Sequence, residues 1–339
     1  MVSQRTLFLQ HVGQTSSCPM GLEIDHAKGI YLYDKEGKEY IDLVSGVSVS
    51  NVGHCHPKVI KAIQKQSEKY MHLMVYGEYI QEPQVNFAKG LVDILPESMQ
   101  SVYFVNSGSE AIEGAMKLAK RYTGRREILA FNKSYHGSTH GALSIYGGDD
   151  LKKAVQPLLP EVDFMDFNNI ESLERITEKT ACVVMEVIQA EAGIISAEIE
   201  FLQAVRKKCN STGTTLVFDE IQTGFGRTGK MFAFEHYGVE PDIICLAKSM
   251  GGGMPIGAFV SSKVIMDTLT NNPALGHITT FGGHPVSCAA GFASLIIIIE
   301  DKLHEKANEK GQKFRDLLNH NLIDHIRGKG LFLAVELKP

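Results

Sequence analysis

No Cys-x-x-Cys pair, no long apolar run and no stripe of basic residues occurs in these 339 residues, and each absence narrows what the chain can be. The six cysteines stand at 18, 55, 182, 209, 245 and 288, mostly within apolar runs such as TACVVMEV and PDIICLAK. Unpaired and apolar in context, they read as reduced core thiols, which predicts a cytoplasmic protein. The longest aliphatic run, Leu295 to Ile299, is too short to cross a bilayer, and MVSQRTLFLQHVGQTSS lacks the positive start and apolar stretch of an export signal. A soluble protein with no membrane partner is expected. Lys and Arg are scattered and the net charge is −5, so nothing marks a nucleic-acid surface; a small-molecule substrate fits better. Neither an internal repeat nor a low-complexity linker is present.

What is present is 44% hydrophobic residues, enough at this length for a large core, with one large and one smaller domain as the expectation. Apolar, β-branched runs recur at Ser101–Val105, Ile128–Phe131, Cys182–Ile188, Thr214–Phe218, Ile243–Leu246 and Ala258–Val260. Between them Ala111, Ile112, Ala115, Leu118, Ala119 and Tyr122, and later Phe201, Leu202 and Val205, have helical spacing. That alternation predicts an α/β domain with a mostly parallel sheet. Before it, IYLYDKEGKEYIDL reads as a hairpin turning at Glu36-Gly37-Lys38; after it, a helical stretch from Pro285 leads through charged residues to a turn and a strand in RGKGLFLAVELKP.

Four constellations carry chemistry. Asn106-Ser107-Gly108-Ser109-Glu110 follows the strand SVYFV and opens a helix, so its free N–H groups suit a phosphate; it also reads as an ordinary capping box, Ser107-x-x-Glu110. Tyr135, between Ser134 and His136-Gly137 at a strand end, could stack on a planar ring or simply pack. Asp219 ends the strand LVF, where a buried carboxylate needs a cationic partner. Lys248 ends another apolar strand just before Gly251-Gly252-Gly253; most lysines are solvated, but a partly desolvated one has a lowered pKa and attacks aldehydes. A phosphate site, a flat aromatic, an acid for a ring cation and an amine for an aldehyde together match pyridoxal 5'-phosphate.

Two rival motifs are weaker. Gly224-Phe-Gly226-Arg-Thr-Gly229 satisfies the dinucleotide fingerprint, but five residues separate it from its strand and no tight helix follows; Asp242 would have to be forced into the ribose role. The glycines better suit a loop at the edge of the cofactor pocket. His54-Cys55-His56 has no further cluster with zinc-like spacing, so no metal is expected and a loop before Pro57 is the reading.

In order from residue 53 to 285, the pieces GHCHP, SGSEA, SYHG, EVIQAEAG, FDEIQTGFGRTG, AKSMGGGMPIGA and TTFGGHP resemble the class III (ornithine/acetylornithine/4-aminobutyrate-type) aminotransferases, pyridoxal-phosphate enzymes of fold type I. The resemblance implies a large domain over residues 46–285, with a mostly parallel mixed sheet flanked by helices. It implies a small domain from residues 1–45 and from the start of a C-terminal segment, 286–339. It implies that Lys248 carries the cofactor as a Schiff base, Asp219 pairs with the pyridine nitrogen, Gly108 and Ser109 hold the phosphate, Tyr135 stacks on the ring and Gln222 approaches the ring hydroxyl. A homodimer is implied too, with Thr280 reaching the phosphate of the neighbouring subunit.

Glu186, Gln189 and Glu191 match the family's E-P-x-Q-x-E stretch, whose second glutamate can gate between an ω-amino donor and an α-carboxylate, so Glu186 and Glu191 are the implied substrate residues. The implied reaction moves an amino group from acetylornithine or ornithine to 2-oxoglutarate. A 4-aminobutyrate-type aminotransferase, an aminomutase and an inactive cofactor-binding dimer are the alternatives. Val187 stands where proline is usual and His284 where asparagine is common. Family members continue beyond VELKP with a tail that carries a substrate-binding arginine. The resemblance therefore implies an incomplete C-terminal segment, and a last strand left without its partners.

Overall fold

The computed structural model describes residues 2–339. Near the N-terminus, strands β1 (Ile24–Lys28), β2 (Tyr31–Asp34) and β3 (Glu39–Ile41) form an antiparallel sheet. The β2–β3 hairpin is the one legible in the sequence: Gly37 takes φ +80°, and Asp34 Oδ1 accepts from the N–H groups of Glu36 and Lys38 at 3.1 and 2.8 Å. The strand β1, IDHAK, is mostly exposed and carries no apolar alternation, so the pattern did not mark it.

The main sheet has seven strands: β4 (Ser101–Val105), β5 (Glu127–Phe131), β6 (Val162–Met165), β7 (Thr180–Met185), β10 (Thr215–Asp219), β11 (Ile243–Leu246) and β12 (Gly257–Ser261). A two-residue pair, β8 (Ile188–Gln189) and β9 (Ile195–Ser196), lies between β7 and β10 in the chain. The spatial order is β4-β12-β11-β10-β7-β5-β6, with β12 antiparallel to both neighbours and the remaining pairs parallel.

The central strand β10 is buried at all five positions, as a strand covered on both faces must be. Leu216 and Phe218 enter one core with Phe201, Leu202, Leu295 and Ile298; Val217 enters the other with Ala111, Ile112, Ala115 and Leu118. Burying each such side chain contributes roughly 1.5–3 kcal/mol, so the period-two alternation fixes which face meets which helix layer. One layer holds helices Ile199–Thr212 and Pro285–Glu300, the other holds Gly108–Thr123. A Cβ on Gly114 would lie 2.3 Å from Phe259 Cε1, so this glycine lets the second layer rest directly on the β12 ring.

Two readings need correction. The stretch from Pro285 is two helices, Pro285–Glu300 and Leu303–Leu317, because Lys302 adopts a left-handed φ of +51° between them. The strand in FLAVEL has a partner: β14 (Phe332–Leu337) pairs antiparallel with β13 (Ile323–Lys329), although Val335 and Leu337 stay exposed. Among the described residues no helix is long and apolar enough to cross a membrane.

Candidate active site

The carboxyl ends of β4, β5, β7, β10 and β11 lie on one edge of the sheet, where α/β sheets place ligands. A cavity of about 450 Å³ opens there, lined by Ser109, Tyr135, His136, Asp219, Gln222 and Lys248 among others.

At one end stands the start of the helix Gly108–Thr123. Ser107 is its N-cap, its hydroxyl accepting from Glu110 N at 3.2 Å. The return bond of the expected capping box is displaced by one residue: Glu110 Oε2 accepts from Asn106 N at 2.8 Å and from Asn106 Nδ2 at 2.9 Å. The N–H groups of the first helical turn, those of Gly108 and Ser109 included, have no intrahelical partner and carry the positive end of the helix dipole. Space around them is close. A Cβ on Gly108 would come 2.9 Å from Ile221 Cδ1, and one on Gly137, which has φ +126°, would come 2.1 Å from Ser109 Oγ. The glycine of SYHG thus brings the aromatic loop against the helix start.

At the other end, parallel pairing sets Asp219 opposite Cys245, three residues before Lys248. Asp219 is buried, with Oδ1 accepting from Ile221 N at 3.0 Å and Oδ2 from His136 Nδ1 at 2.7 Å. One of the hydrogen-bond donors that this buried carboxylate requires is therefore His136, a residue for which no role was expected from the sequence. Burial works against the charged imidazolium, but the hydrogen bond and charge of Asp219 outweigh it and raise the His136 pKa.

Lys248, half-buried and in a left-handed conformation at φ +50°, donates from Nζ to Gln222 Oε1 at 2.9 Å. Its pKa is lowered: burial is the main cause, opposed by Asp219, Glu186 and Glu191, while the Arg227 guanidinium adds to the lowering. A half-buried amine shifted this way is a better nucleophile than a surface lysine.

The remaining expected residues fall in distinct places. Tyr135 is half-buried at the cavity wall, edge-on to Tyr146 at 6.1 Å. Glu186 lines the cavity, buried, and Gln189 is buried with Nε2 donating to Asn132 O at 3.0 Å. Glu191 and Thr280 are exposed and do not line the cavity, whereas the adjacent Thr279 accepts from Asn106 Nδ2 at 2.9 Å.

The rival motifs acquire other roles. No α-helix opens at Gly224–Gly229, and only a short 3-10 turn, Ala233–His236, comes next; Gly226 (φ +91°) and Gly229 (φ +93°) pack against His304 and Asn308 of the helix Leu303–Leu317. Asp242 Oδ2 is engaged by Leu216 N at 2.7 Å and Arg206 Nη1 at 2.9 Å. His54 Nε2 bonds Asp42 Oδ2 at 2.7 Å, and His56 Nδ1 accepts from Lys58 N at 3.3 Å at a helix start.

The cavity thus offers a desolvated amine, a buried carboxylate held from two sides, and a helix start with free N–H groups whose flanking glycines leave no room for a Cβ. These fit an aldehyde, a protonated ring nitrogen and a phosphate, the three groups of pyridoxal phosphate.

The sequence pattern of the family Aminotransferase class-III matches residues 12–339. The chain is 44% identical over 323 residues to the acetylornithine aminotransferase of Methanocaldococcus jannaschii, covering 92% of this chain and 79% of that protein. It is 38% identical over 325 residues to the [LysW]-aminoadipate semialdehyde/glutamate semialdehyde transaminase of Sulfolobus acidocaldarius, covering 94% and 82% respectively. Among solved structures, the ornithine aminotransferase of Toxoplasma gondii, which holds pyridoxal phosphate at partial occupancy in its active site, superposes with a TM-score of 0.90 at 31% identity, over 98% of this chain and 80% of that one.

Proposed function

The chain belongs to the class III aminotransferases and is a pyridoxal-phosphate-dependent enzyme, and from that premise we propose that it moves the amino group of an ω-amino donor, acetylornithine or ornithine, to 2-oxoglutarate. The observation that carries the reading is the Lys248 amine, bonded to Gln222 at 2.9 Å in the same cavity as Asp219, in a chain 44% identical to an acetylornithine aminotransferase.

Bound there, pyridoxal phosphate supplies an aldehyde that captures amines and a protonated ring that draws electrons from a substrate carbon. Lys248 Nζ would hold that aldehyde between turnovers, and when displaced by the donor it would take and return a proton at the substrate carbon. Asp219, fixed by His136 and Ile221, would keep the ring nitrogen protonated. Gly108 and Ser109 would bind the phosphate, Tyr135 would flank the ring and Gln222 would meet the ring hydroxyl. Glu191, whose charge favours the protonated form of Lys248, would meet the donor.

The same reading includes a homodimer. Thr280 is exposed in its own subunit, and the His72 and Phe281 rings, 4.8 Å apart, mark an edge near which Met71, Ile278 and Phe281 are exposed. A partner covering that edge would bring Thr280 to its phosphate site. All six cysteines are free and four are buried, in keeping with a reducing cytoplasm.

The test is a donor screen that follows conversion of the bound pyridoxal form to the pyridoxamine form, then return on addition of 2-oxoglutarate with glutamate as product. Conversion by acetylornithine or ornithine is the expected result. Conversion only by 4-aminobutyrate or by the carrier-linked ω-amine that corresponds to such a semialdehyde would replace the donor; conversion by no amine would overturn the reading.

A further inference from the structure

Glu186 stands one residue past the end of β7 and is 6% exposed. Its two oxygens accept from two different loops: Oε2 from Tyr135 N at 3.1 Å, and Oε1 from Ala190 N at 3.0 Å. Tyr135 opens the aromatic loop after β5. Ala190 begins the tight turn between β8 and β9, where Gly193 N and Ile194 N bond back to Ala190 O at 3.0 and 3.1 Å, and Glu191 lies within that turn. A single carboxylate therefore joins the loop that walls the cavity with an aromatic ring to the loop that carries the exposed glutamate.

Resting on the function proposed above, we propose that Glu186 is a positioning residue, whose carboxylate clamps the Tyr135 backbone to the Ala190 backbone and sets the separation of ring and donor-side glutamate. Two features favour this over direct contact with substrate. A carboxylate is the side chain with acceptors on both arms, and both are engaged by backbone N–H groups with almost no exposure left for a donor amine. The Tyr135 bond also ties the β7 end to the loop whose next residue, His136, holds Asp219, so the clamp and the Asp219 pair share one loop. Burial pushes the Glu186 carboxyl up to about 7, with the neighbouring Asp219 charge adding, while His136 and the two N–H bonds pull the other way. The His136 charge and the N–H groups of the two loops offset part of the cost of keeping a charge there.

The test uses Glu186→Gln and Glu186→Ala in the full chain. The Gln amide keeps one acceptor and turns an NH₂ toward the other N–H, so one loop should loosen; Ala should release both. Amide hydrogen exchange, followed on peptides spanning residues 135–137 and 190–193 in the cofactor-free protein, should rise about 10-fold or more in one segment for Gln and in both for Ala. Cofactor binding should weaken, and kcat should fall for every donor with little change in relative donor KM. Unchanged exchange with a KM rise confined to one donor would mean substrate contact and would overturn the proposal. Should Glu186→Ala not fold, the isosteric Glu186→Gln decides. Exchange is read before any donor is added, so a wild type silent in the donor screen refutes the proposed function while the clamp stands or falls on its own.

Discussion

His136 Nδ1 donates to Asp219 Oδ2 at 2.7 Å across 83 residues of chain, with the imidazole buried and the carboxylate 6% exposed. The bond ties the aromatic loop to the end of the central strand. Replacing His136 with Leu leaves a buried carboxylate oxygen without its donor, a loss on the order of 1–3 kcal/mol. Thermal unfolding of the cofactor-free protein should show that loss, and cofactor affinity should fall with it. Unaltered melting and affinity would mean that the pair has no structural weight.

Lys248→Ala removes the one side-chain amine that lines the cavity among the described residues. Loss of a positioned proton carrier alone should lower kcat by about 10²–10⁴-fold. Borohydride treatment followed by mass analysis should find no cofactor on the peptide 247–258. A reducible adduct that persists in the variant would place the attachment on another residue.

Gly137 combines φ +126° with a Cβ position 2.1 Å from Ser109 Oγ. Gly137→Ala should therefore cost about 1–3 kcal/mol in stability through backbone strain alone, and it should also weaken phosphate-end binding by shifting Ser109. Gly238→Ala is the control: φ is +64° but nothing lies within 4 Å of its Cβ position, and it is remote from the cavity lining. It should lose stability without loss of cofactor affinity. Equal effects of the two on affinity would remove the Ser109 argument.

Glu220 is fully buried, and burial pushes its carboxyl up to about 7; the Thr223 hydroxyl and the N–H groups of Ala233 and Phe234 pull it down, and Asp219 adds to the rise. A folded pKa above the unfolded value of about 4.3 means that its contribution is fully present below that value and is lost as pH rises through about 7. Glu220→Gln carries no charge at any pH. Its melting temperature should gain on that of the wild type between pH 5 and pH 8, by the equivalent of a few kcal/mol at most. A difference that stays constant over that range would show that the folded-state pKa of Glu220 is not raised above its unfolded value.

Much of the sheet could be read in advance because β5, β7, β10, β11 and β12 are buried on both faces, and such strands must be written in continuous apolar letters. Their ends were less legible. The run Cys182–Ile188 is apolar apart from Glu186, yet the strand occupies Thr180–Met185; Val187 and Ile188 are buried after the chain has left the main sheet. The break at Lys302 had no glycine or proline to announce it, so one helix was expected where two exist.

By itself the sequence determined the fold class, the positions of Asp219 and Lys248 at strand ends, and the helix start at Ser107. Those features depend on residues within a few positions of each other. The partners were decided only by the tertiary structure: His136 for Asp219, Gln222 for Lys248, and the Tyr135 and Ala190 backbones for Glu186. Strand order, not sequence distance, sets which loops meet at the sheet edge. A buried carboxylate announces that it needs hydrogen-bond donors, but its letter cannot say which loop will supply them.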